Sequence, residues 1–293
     1  MIQDPGAGRP RRFAALRPVW LALMAAALLV TLVLVARVMM SGGSSRPPRS
    51  PVAARGLHAP AHSDPVAVAG PQGLAAGAVG VVHGSARGRL VALTFDDGPG
   101  PYTLALVHEL ERLRVHATFF MVGFEVHWYP RVVREIIRDG DVIGDHAWSH
   151  PALDTLPPGQ VRAQLLRTAA VIQRYGGVRP VLMRPPYGSF DPAVLRLAER
   201  LGFVTVLWSV ETRDWARPGV TAIVRAAAAG ARPGAIILLH DAGGDRTQTL
   251  AALPMIVRAL RHRGFRLVTV PELLAAAPPP SSGLNHGHSL AGD

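Results

Sequence analysis

Short apolar runs alternate with longer amphipathic stretches over residues 89–274, and this alternation most constrains the fold of the chain. Repeated strand–helix alternation predicts a parallel sheet covered by helices. The predicted strands are Leu90–Phe95, Ala117–Val122, Asp141–Gly144, Val181–Arg184, Phe203–Trp208, Ala235–Leu239 and Phe265–Val268. The predicted helices are Thr103–Leu113, Pro130–Asp139, Pro158–Tyr175, Pro192–Leu201, Val220–Ala229 and Thr247–Arg263. We therefore expect an α/β fold, a distorted (β/α) barrel of about seven parallel strands, with an open doubly wound sheet as the alternative.

A hydrophobic segment with basic flanks lies near the N-terminus. Residues 18–36 carry no charged side chain. The length of this uncharged segment is close to that of a helix that crosses a bilayer. The arginines before this segment predict that residues 1–17 stay in the cytoplasm and that the chain after the segment lies outside. We therefore expect a transmembrane anchor at residues 18–38. A cleaved signal peptide is the alternative, but its apolar region is normally shorter and is followed by an Ala-x-Ala site.

Composition separates the ends of the chain from the predicted domain at residues 89–274. Residues 39–88 are rich in Gly, Pro, Ala and Ser and lack apolar periodicity, which predicts a flexible linker. The similar composition of residues 275–293 predicts a disordered tail.

Charge and cysteine content exclude several function classes. The net charge is +11, and residues 1–88 hold 9 Arg against 2 acidic residues, so much of the excess lies outside the predicted domain. No basic run is interleaved with aromatic residues, which argues against a nucleic-acid partner. The chain has 0 Cys, which excludes disulfides and thiolate metal sites. Nothing in the sequence indicates an obligate protein partner.

Reactive side chains follow five of the predicted strands. The segments are Asp96-Asp97, Asp145 to His150, Arg184 to Gly188, Trp208 to Trp215, and His240-Asp241. Because the carboxyl ends of barrel strands meet on one face, we expect these segments to form one site. Taken alone, the first segment also fits a solvated Asp-Asp-Gly turn.

The spacing of two histidines indicates a metal site. His146 and His150 are four residues apart, so on a helical turn their side chains lie on one face. Two imidazoles and one carboxylate make a hydrolytic zinc site with an open position for water. Either Asp96 or Asp97 can supply the carboxylate. The other is then free to act as a base, which Arg184 can hold ionised.

Cleavage of an amide also needs an acid for the leaving amine. His240 ends an apolar run and suits this task if a carboxylate raises its pKa. Asp214 is the predicted partner. Taken singly, each of these residues has a structural explanation that is equally good. Arg184 can cap a strand, Asp214 can be a turn residue, and His240 can be a buried histidine whose hydrogen bonds are satisfied.

These motifs resemble those of the polysaccharide deacetylase family, whose members share a NodB-like homology domain and form carbohydrate esterase family 4. The resemblance covers residues 89–272 in order and spacing. The matching segments are Thr94-Phe-Asp-Asp-Gly-Pro99, His146-Ala-Trp-Ser-His150, Arg184-Pro-Pro-Tyr-Gly188, Asp214-Trp215 and Leu238-Leu239-His240. The family's fold implies a distorted (β/α) barrel.

The resemblance implies which residues hold a metal and which one acts as base. Asp97, His146 and His150 would hold one divalent ion. Asp96 would be the catalytic base, oriented by Arg184. Zinc suits these ligands best, although Co²⁺, Ni²⁺ and Mn²⁺ fit the same set.

The resemblance also implies how the substrate is handled. His240 would be the general acid, tuned by Asp214. The backbone N–H of Tyr187 would stabilise the oxyanion. Leu238 and Trp215 would line the acetyl pocket.

Two positions depart from the family's pattern. Ala147 stands where Ser or Thr is usual, so a hydroxyl that steadies the histidine loop is missing, at a cost of about 1 kcal/mol. Asp145 stands where Asn is commoner, so this carboxylate can raise metal affinity or compete as a ligand. Every predicted ligand, base and acid is present.

The sequence therefore predicts a metal-dependent hydrolase that removes N- or O-acetyl groups from a polysaccharide. The anchor implies a single-pass protein of the cell membrane with an extracytoplasmic catalytic domain. It points to a cell-wall polymer, above all the N-acetylglucosamine or N-acetylmuramic acid of peptidoglycan. A non-catalytic wall-binding module and an amidase of small cyclic amides are the alternatives.

Overall fold

The computed structural model describes residues 80–86 and 88–276. The strands are β1 (Leu90–Asp96), β2 (Thr118–Met121), β3 (Val142–Asp145), β4 (Leu182–Met183), β5 (Val204–Thr205), β6 (Val210–Glu211), β7 (Ala235–His240) and β8 (Arg266–Leu267). The α-helices are α1 (Thr103–Leu113), α2 (Gly123–Trp128), α3 (Pro130–Arg138), α4 (Pro158–Gly176), α5 (Pro192–Arg200), α6 (Val220–Gly230), α7 (Thr247–His262) and α8 (Val270–Ala275).

The ladders between the named strands in the described part of the chain are all parallel, and β1 pairs with three strands, β2, β7 and β8. The strand order is β5-β4-β3-β2-β1-β7-β6, and β8 pairs with the start of β1. Between residues 80 and 276, apart from residue 87, no ladder joins β5 to β6. The sheet is therefore an open half barrel rather than a closed one.

The two faces of β1 explain why it is apolar along most of its length. Val91, Leu93 and Phe95 pack in the cluster that joins the sheet to the outer helices. Leu90 and Ala92 pack on the opposite face against side chains of other strands and of α8. Because side chains alternate along a strand, the side chain of Asp96 lies on the same face as those of Leu90 and Ala92, the inner face of the half barrel.

The sheet curves strongly between β1 and β4. Two strands separate them, so a flat sheet would place them about 14 Å apart. Nevertheless Nη1 of Arg184, directly after β4, donates a hydrogen bond of 2.9 Å to Oγ1 of Thr94 in β1. The curvature brings the ends of distant strands around one space.

The seven predicted strands and six predicted helices are all present, with small differences at their ends. The sequence analysis missed β6, α2 and α8, which have two to six residues each. A parallel half barrel of about this strand number confirms the predicted fold class.

The N-terminal limit of the folded domain differs from the sequence analysis. Val81 pairs with Val206, and His83 pairs with Ala235, so residues assigned to the linker extend the sheet. The predicted anchor at residues 18–38 lies outside the described residues. Among residues 80–86 and 88–276, no helix combines the length and apolar character needed to cross a membrane.

Candidate active site

Side chains from four strand ends meet at one rim of the half barrel. Asp96 ends β1, and His240 ends β7 as its register partner on the neighbouring strand. Asp145 ends β3, and Arg184 follows β4 directly. The predicted convergence of reactive segments is therefore present in the structure.

Asp96 and Arg184 form a buried ion pair inside the rim. Nη1 of Arg184 lies 2.7 Å from Oδ1 of Asp96, and the two residues are 0% and 3% exposed. The remaining guanidinium donors bind the carbonyl oxygens of Val206 and Leu207 at 3.1 and 2.9 Å. A charge held from several sides in this way fixes the orientation of the carboxylate it faces.

Asp97 points elsewhere than Asp96 because its backbone is left-handed, with φ at 76°. Its carboxylate comes close to Gly243, where a Cβ atom would lie 2.5 Å from Oδ2 of Asp97. Gly243 also has a positive φ of 74°, so both the close contact and the backbone conformation favour glycine there. The two adjacent carboxylates thus occupy separate places in the site.

Asp97, His146 and His150 form a cluster whose ligand atoms all lie within 4.8 Å of one another. Oδ1 of Asp97 is 3.1 Å from Nε2 of His150 and 3.6 Å from Nε2 of His146. Ligand atoms about 3.3 Å apart are what a tetrahedral ion with bonds of about 2.0–2.1 Å needs. The cluster therefore fits a divalent metal ion.

Hydrogen bonding selects the ring nitrogen with which His146 faces the cluster. Its Nδ1 donates to the carbonyl oxygen of Arg184 at 2.7 Å. In the neutral ring the lone pair is then on Nε2, on the side of Asp97, as in metal-ligating histidines. Burial lowers the pKa of His146, which favours this neutral form.

The pKa of Asp97 favours its ionised form. Burial acts to raise the pKa, but the hydrogen bond to His150 and the neighbouring imidazoles outweigh it, so the pKa lies below its ordinary value. An ionised carboxylate and a neutral imidazole are the forms that ligate a metal.

Asp145 and Ala147, the two departures from the family's pattern, are joined by a hydrogen bond at the start of the loop that carries His146 and His150, which we call the histidine loop. Oδ1 of Asp145 accepts a hydrogen bond from the N–H of Ala147 at 2.8 Å, and Asp145 is fully buried. Burial raises the pKa of Asp145 well above its ordinary value. Asp145 is not part of the Asp97 cluster, so it supports the loop rather than competing as a ligand.

Gln164 of α4 holds the same loop from outside. Its Oε1 accepts hydrogen bonds from the N–H groups of Trp148 and Ser149 at 2.7 and 2.9 Å. Its Nε2 donates to Oγ of Ser149 at 3.0 Å. Hydrogen bonds to its backbone therefore hold the histidine loop in place, although Ala147 has no hydroxyl group.

His240 and Asp214 form a second polar unit on the other side of the rim. Nδ1 of His240 donates to Oδ1 of Asp214 at 2.8 Å, and the N–H of His240 donates to Oδ2 at 2.8 Å. Burial opposes protonation of His240, but the hydrogen bond and charge of Asp214 outweigh it and raise the pKa of the imidazole. Thr249 donates a further hydrogen bond of 2.7 Å to Oδ2 of Asp214.

A groove with a volume of about 910 Å³ joins these groups. All three predicted substrate-contacting residues line it: Tyr187, Trp215 and Leu238. Tyr187 is exposed and has a φ of 61°, and its ring lies 4.6 Å from that of His150. The candidate site therefore contains every residue that the sequence analysis assigned to it, with Asp214 and Arg184 behind the lining residues.

Sequence reasoning missed three supporting residues. Thr94 accepts from Arg184 and donates to the carbonyl oxygen of Ile237, and a polar residue inside an apolar strand was the available clue. Gln164 and Thr249 lie on helices with no motif around them, so the sequence held no signal for their roles.

The chain is similar in sequence to known proteins. A family model described as Polysaccharide deacetylase matches residues 83–206. A peptidoglycan-N-acetylglucosamine deacetylase of Bacillus cereus is 40% identical over 189 residues, which cover 64% of this chain and 88% of that protein. A chitooligosaccharide deacetylase of Bradyrhizobium sp. is 38% identical over 198 residues, which cover 63% of this chain and 90% of that protein.

A solved structure shows the same fold. It is a peptidoglycan N-acetylglucosamine deacetylase in complex with 4-naphthalen-1-yl-N-oxidanyl-benzamide, with a TM-score of 0.65 and 33% identity, and the match covers 68% of this chain and 94% of that one. The chain therefore belongs to the polysaccharide deacetylase family, carbohydrate esterase family 4, and is a hydrolase of that family.

Proposed function

We propose that the chain is a metal-dependent deacetylase that converts N-acetyl groups of a cell-wall polysaccharide, peptidoglycan in the first place, into amine and acetate. One observation carries the proposal: a cluster that fits a divalent ion lies between an arginine-held carboxylate and a carboxylate-held histidine. All of these groups are at the carboxyl ends of strands around a single groove.

Asp97, His146 and His150 are the residues that would hold the ion, and zinc suits two imidazoles and one carboxylate best. Co²⁺, Ni²⁺ and Mn²⁺ fit the same donors. When bound, the ion supplies Lewis-acid polarisation of the carbonyl and of the attacking water.

Asp96 is the proposed base. Its Oδ2 lies 3.8 Å from Nε2 of His146, so the carboxylate borders the metal cluster without belonging to it. Arg184 binds the other oxygen, Oδ1, which leaves Oδ2 free to accept a proton from water. This division of the two oxygens gives Asp96 a base role distinct from the ligand role of Asp97.

His240 is the proposed acid for the leaving amine. Its Nδ1 is engaged by Asp214, so the proton that it can donate is on Nε2. The charge and hydrogen bond of Asp214 raise the pKa of His240, which favours the protonated form that this role requires. Proton transfer from Nε2 to the nitrogen completes the exchange of amide for amine and acetate.

Tyr187, Leu238 and Trp215 are proposed to position the acetyl group. Tyr187 lies three residues after Arg184 in a tight turn, where both Tyr187 (φ 61°) and Gly188 (φ 65°) have a left-handed backbone. Its N–H is the proposed donor to the oxyanion. The buried Leu238 and the half-exposed Trp215 form an apolar wall of the groove that suits a methyl group.

The proposed location is the outer face of the cell membrane. The basis is the uncharged segment at residues 18–36 and the linker after it, which would place the domain beside the wall. A polymeric substrate agrees with a groove of about 910 Å³ that is open along the rim.

The test is acetate release by the purified full chain from peptidoglycan and from N-acetylglucosamine oligosaccharides. Acetate release that a chelator abolishes and Zn²⁺, Co²⁺, Ni²⁺ or Mn²⁺ restores is the expected result. Mass spectrometry of digested wall fragments then identifies the sugar that lost its acetyl group. No release with any of the four ions would overturn the proposal and leave a binding module on the same fold.

A further inference from the structure

We propose that two exposed aromatic side chains of α2, Phe124 and Trp128, form a stacking subsite for a sugar next to the one that is deacetylated. We call these two side chains the aromatic ridge. The inference rests on the proposed function and extends it, because it assigns the substrate to glycan chains that continue beyond the acetyl pocket.

The aromatic ridge is exposed although its residues are large and apolar. Phe124 is 47% exposed and Trp128 is 64% exposed, and their ring centroids are 6.1 Å apart. They are four residues apart, so they lie on one face of α2, while Val126 on another face is buried. Adjacent exposed aromatic rings beside a groove are typical of a ligand-binding surface.

The aromatic ridge is continuous with the groove. Phe124 is itself a lining residue of the groove, together with His146 and His150. Trp128 lies about one helical turn after Phe124 on α2. A glycan seated with one sugar at the metal cluster can therefore place its neighbour against these rings.

The aromatic ridge is fixed to the loop that carries the metal ligands. The N–H groups of Gly123 and Phe124 donate to the carbonyl oxygens of Ala147 and Trp148, each at 2.9 Å. Behind Phe124, the ring of Trp148 lies 6.3 Å away, and the guanidinium of Arg167 stacks on that ring at 3.7 Å. The distance from ridge to metal cluster is therefore set by backbone contacts, as a subsite requires.

The chemistry around the aromatic ridge suits a sugar. A pyranose ring has an apolar C–H face that packs on aromatic rings and hydroxyl groups at its edge that need polar partners. Glu125 lines the groove beside Phe124, and His127 packs at 5.5 Å from the ring of Trp128. A polar rim around an aromatic centre favours a glycan over a bilayer.

The test compares long and short substrates. Full-length wild type, the double variant Phe124→Ala/Trp128→Ala and the control Met255→Ala are assayed on the dimer and hexamer of N-acetylglucosamine. Met255 is 44% exposed, close to the 47% of Phe124, but it lies on α7 and does not line the groove. The ratio of kcat/KM for hexamer over dimer should fall about tenfold in the double variant and stay constant in the control.

Calorimetric titration with the hexamer decides the inference independently of turnover. Weaker hexamer binding by the double variant supports the aromatic ridge even if the wild type releases no acetate, which would contradict only the proposed function. Unchanged ratio and unchanged affinity would overturn the subsite. Two results with unchanged hexamer affinity would overturn the subsite in favour of another occupant. Loss of binding to phosphatidylglycerol vesicles in the double variant would assign the surface to lipid. A smaller molar mass of the double variant than of the wild type in solution would assign it to a second copy of the chain.

Discussion

Arg184 contacts the proposed base with its side chain and the metal-facing His146 with its backbone: Nη1 lies 2.7 Å from Oδ1 of Asp96, and the carbonyl oxygen accepts from Nδ1 of His146 at 2.7 Å. One residue thus orients both parts of the site. Because one contact uses the side chain and the other the backbone, substitution can separate them.

Replacing Arg184 should therefore disable the base and leave the metal site in place. In Arg184→Met the buried carboxylate of Asp96 loses its partner, which should cost about 3–5 kcal/mol of the free energy of unfolding. The backbone acceptor for His146 remains, so zinc affinity should change little. Urea unfolding and zinc titration measure the two effects. Equal stability of the variant and wild type would contradict the ion pair, and Asp96→Asn/Arg184→Met should recover part of the loss.

The two adjacent aspartates should fail in different ways. Asp96→Asn removes the free proton acceptor and should lower kcat by about 10²–10⁴-fold with metal content unchanged. Asp97→Asn removes the only carboxylate of the cluster and should lower metal affinity instead. Metal analysis of the two purified variants, paired with acetate release, distinguishes them. If Asp96→Asn lost the metal and Asp97→Asn kept it, the assigned roles would have to be exchanged.

Local sequence patterns were sufficient to predict the parallel α/β fold class and the meeting of strand-end side chains at one rim. Apolar runs followed by Asp96, Arg184 and His240 mark strand ends, and strand ends of a parallel sheet meet by geometry alone. The separation of Asp96 from Asp97 was not predictable from these patterns. It depends on a left-handed φ of 76° at Asp97 and on contact with the distant Gly243.

Short elements and long-range supports were also beyond the sequence. β6 has two residues, too few to show any periodicity, and its pairing with β7 provides its structure. The extension of the sheet by Val81 and His83 lies in a stretch whose composition resembles a linker. Backbone pairing, which composition does not encode, determines both.

The pH dependence should report the pair of His240 and Asp214. The acid must be protonated, so kcat/KM falls as pH rises through the pKa of His240, and a raised pKa moves that fall upward from the ordinary value of about 6.5. Asp214→Asn removes the charge that raises the pKa, so the fall should begin at lower pH and kcat near neutrality should drop. Profiles of kcat/KM between pH 5 and pH 10 for the wild type and Asp214→Asn measure this shift.

A matched control distinguishes charge from packing at this pair. Thr249→Val removes the 2.7 Å hydrogen bond to Oδ2 of Asp214 but keeps the carboxylate charge. Its alkaline limb should stay close to that of the wild type. A shift as large as that in Asp214→Asn would show that the arrangement of the pair, rather than its charge, sets the pKa.

Gln164 explains how the histidine loop keeps its shape without the hydroxyl that Ala147 lacks. Its amide oxygen accepts hydrogen bonds from two loop N–H groups, those of Trp148 and Ser149, which lie between the two histidines of the cluster. Gln164→Ala should therefore lower zinc affinity by about tenfold, as loss of support around metal ligands does. Gln164→Glu keeps both acceptor contacts and loses only the hydrogen bond donated to Ser149, so it should recover most of that affinity. Competition titration with a zinc chelator measures each variant directly. Equal affinities in all three proteins would mean that the other contacts with the loop backbone, those of Asp145 and of the N-terminal end of α2, hold the loop without help from α4.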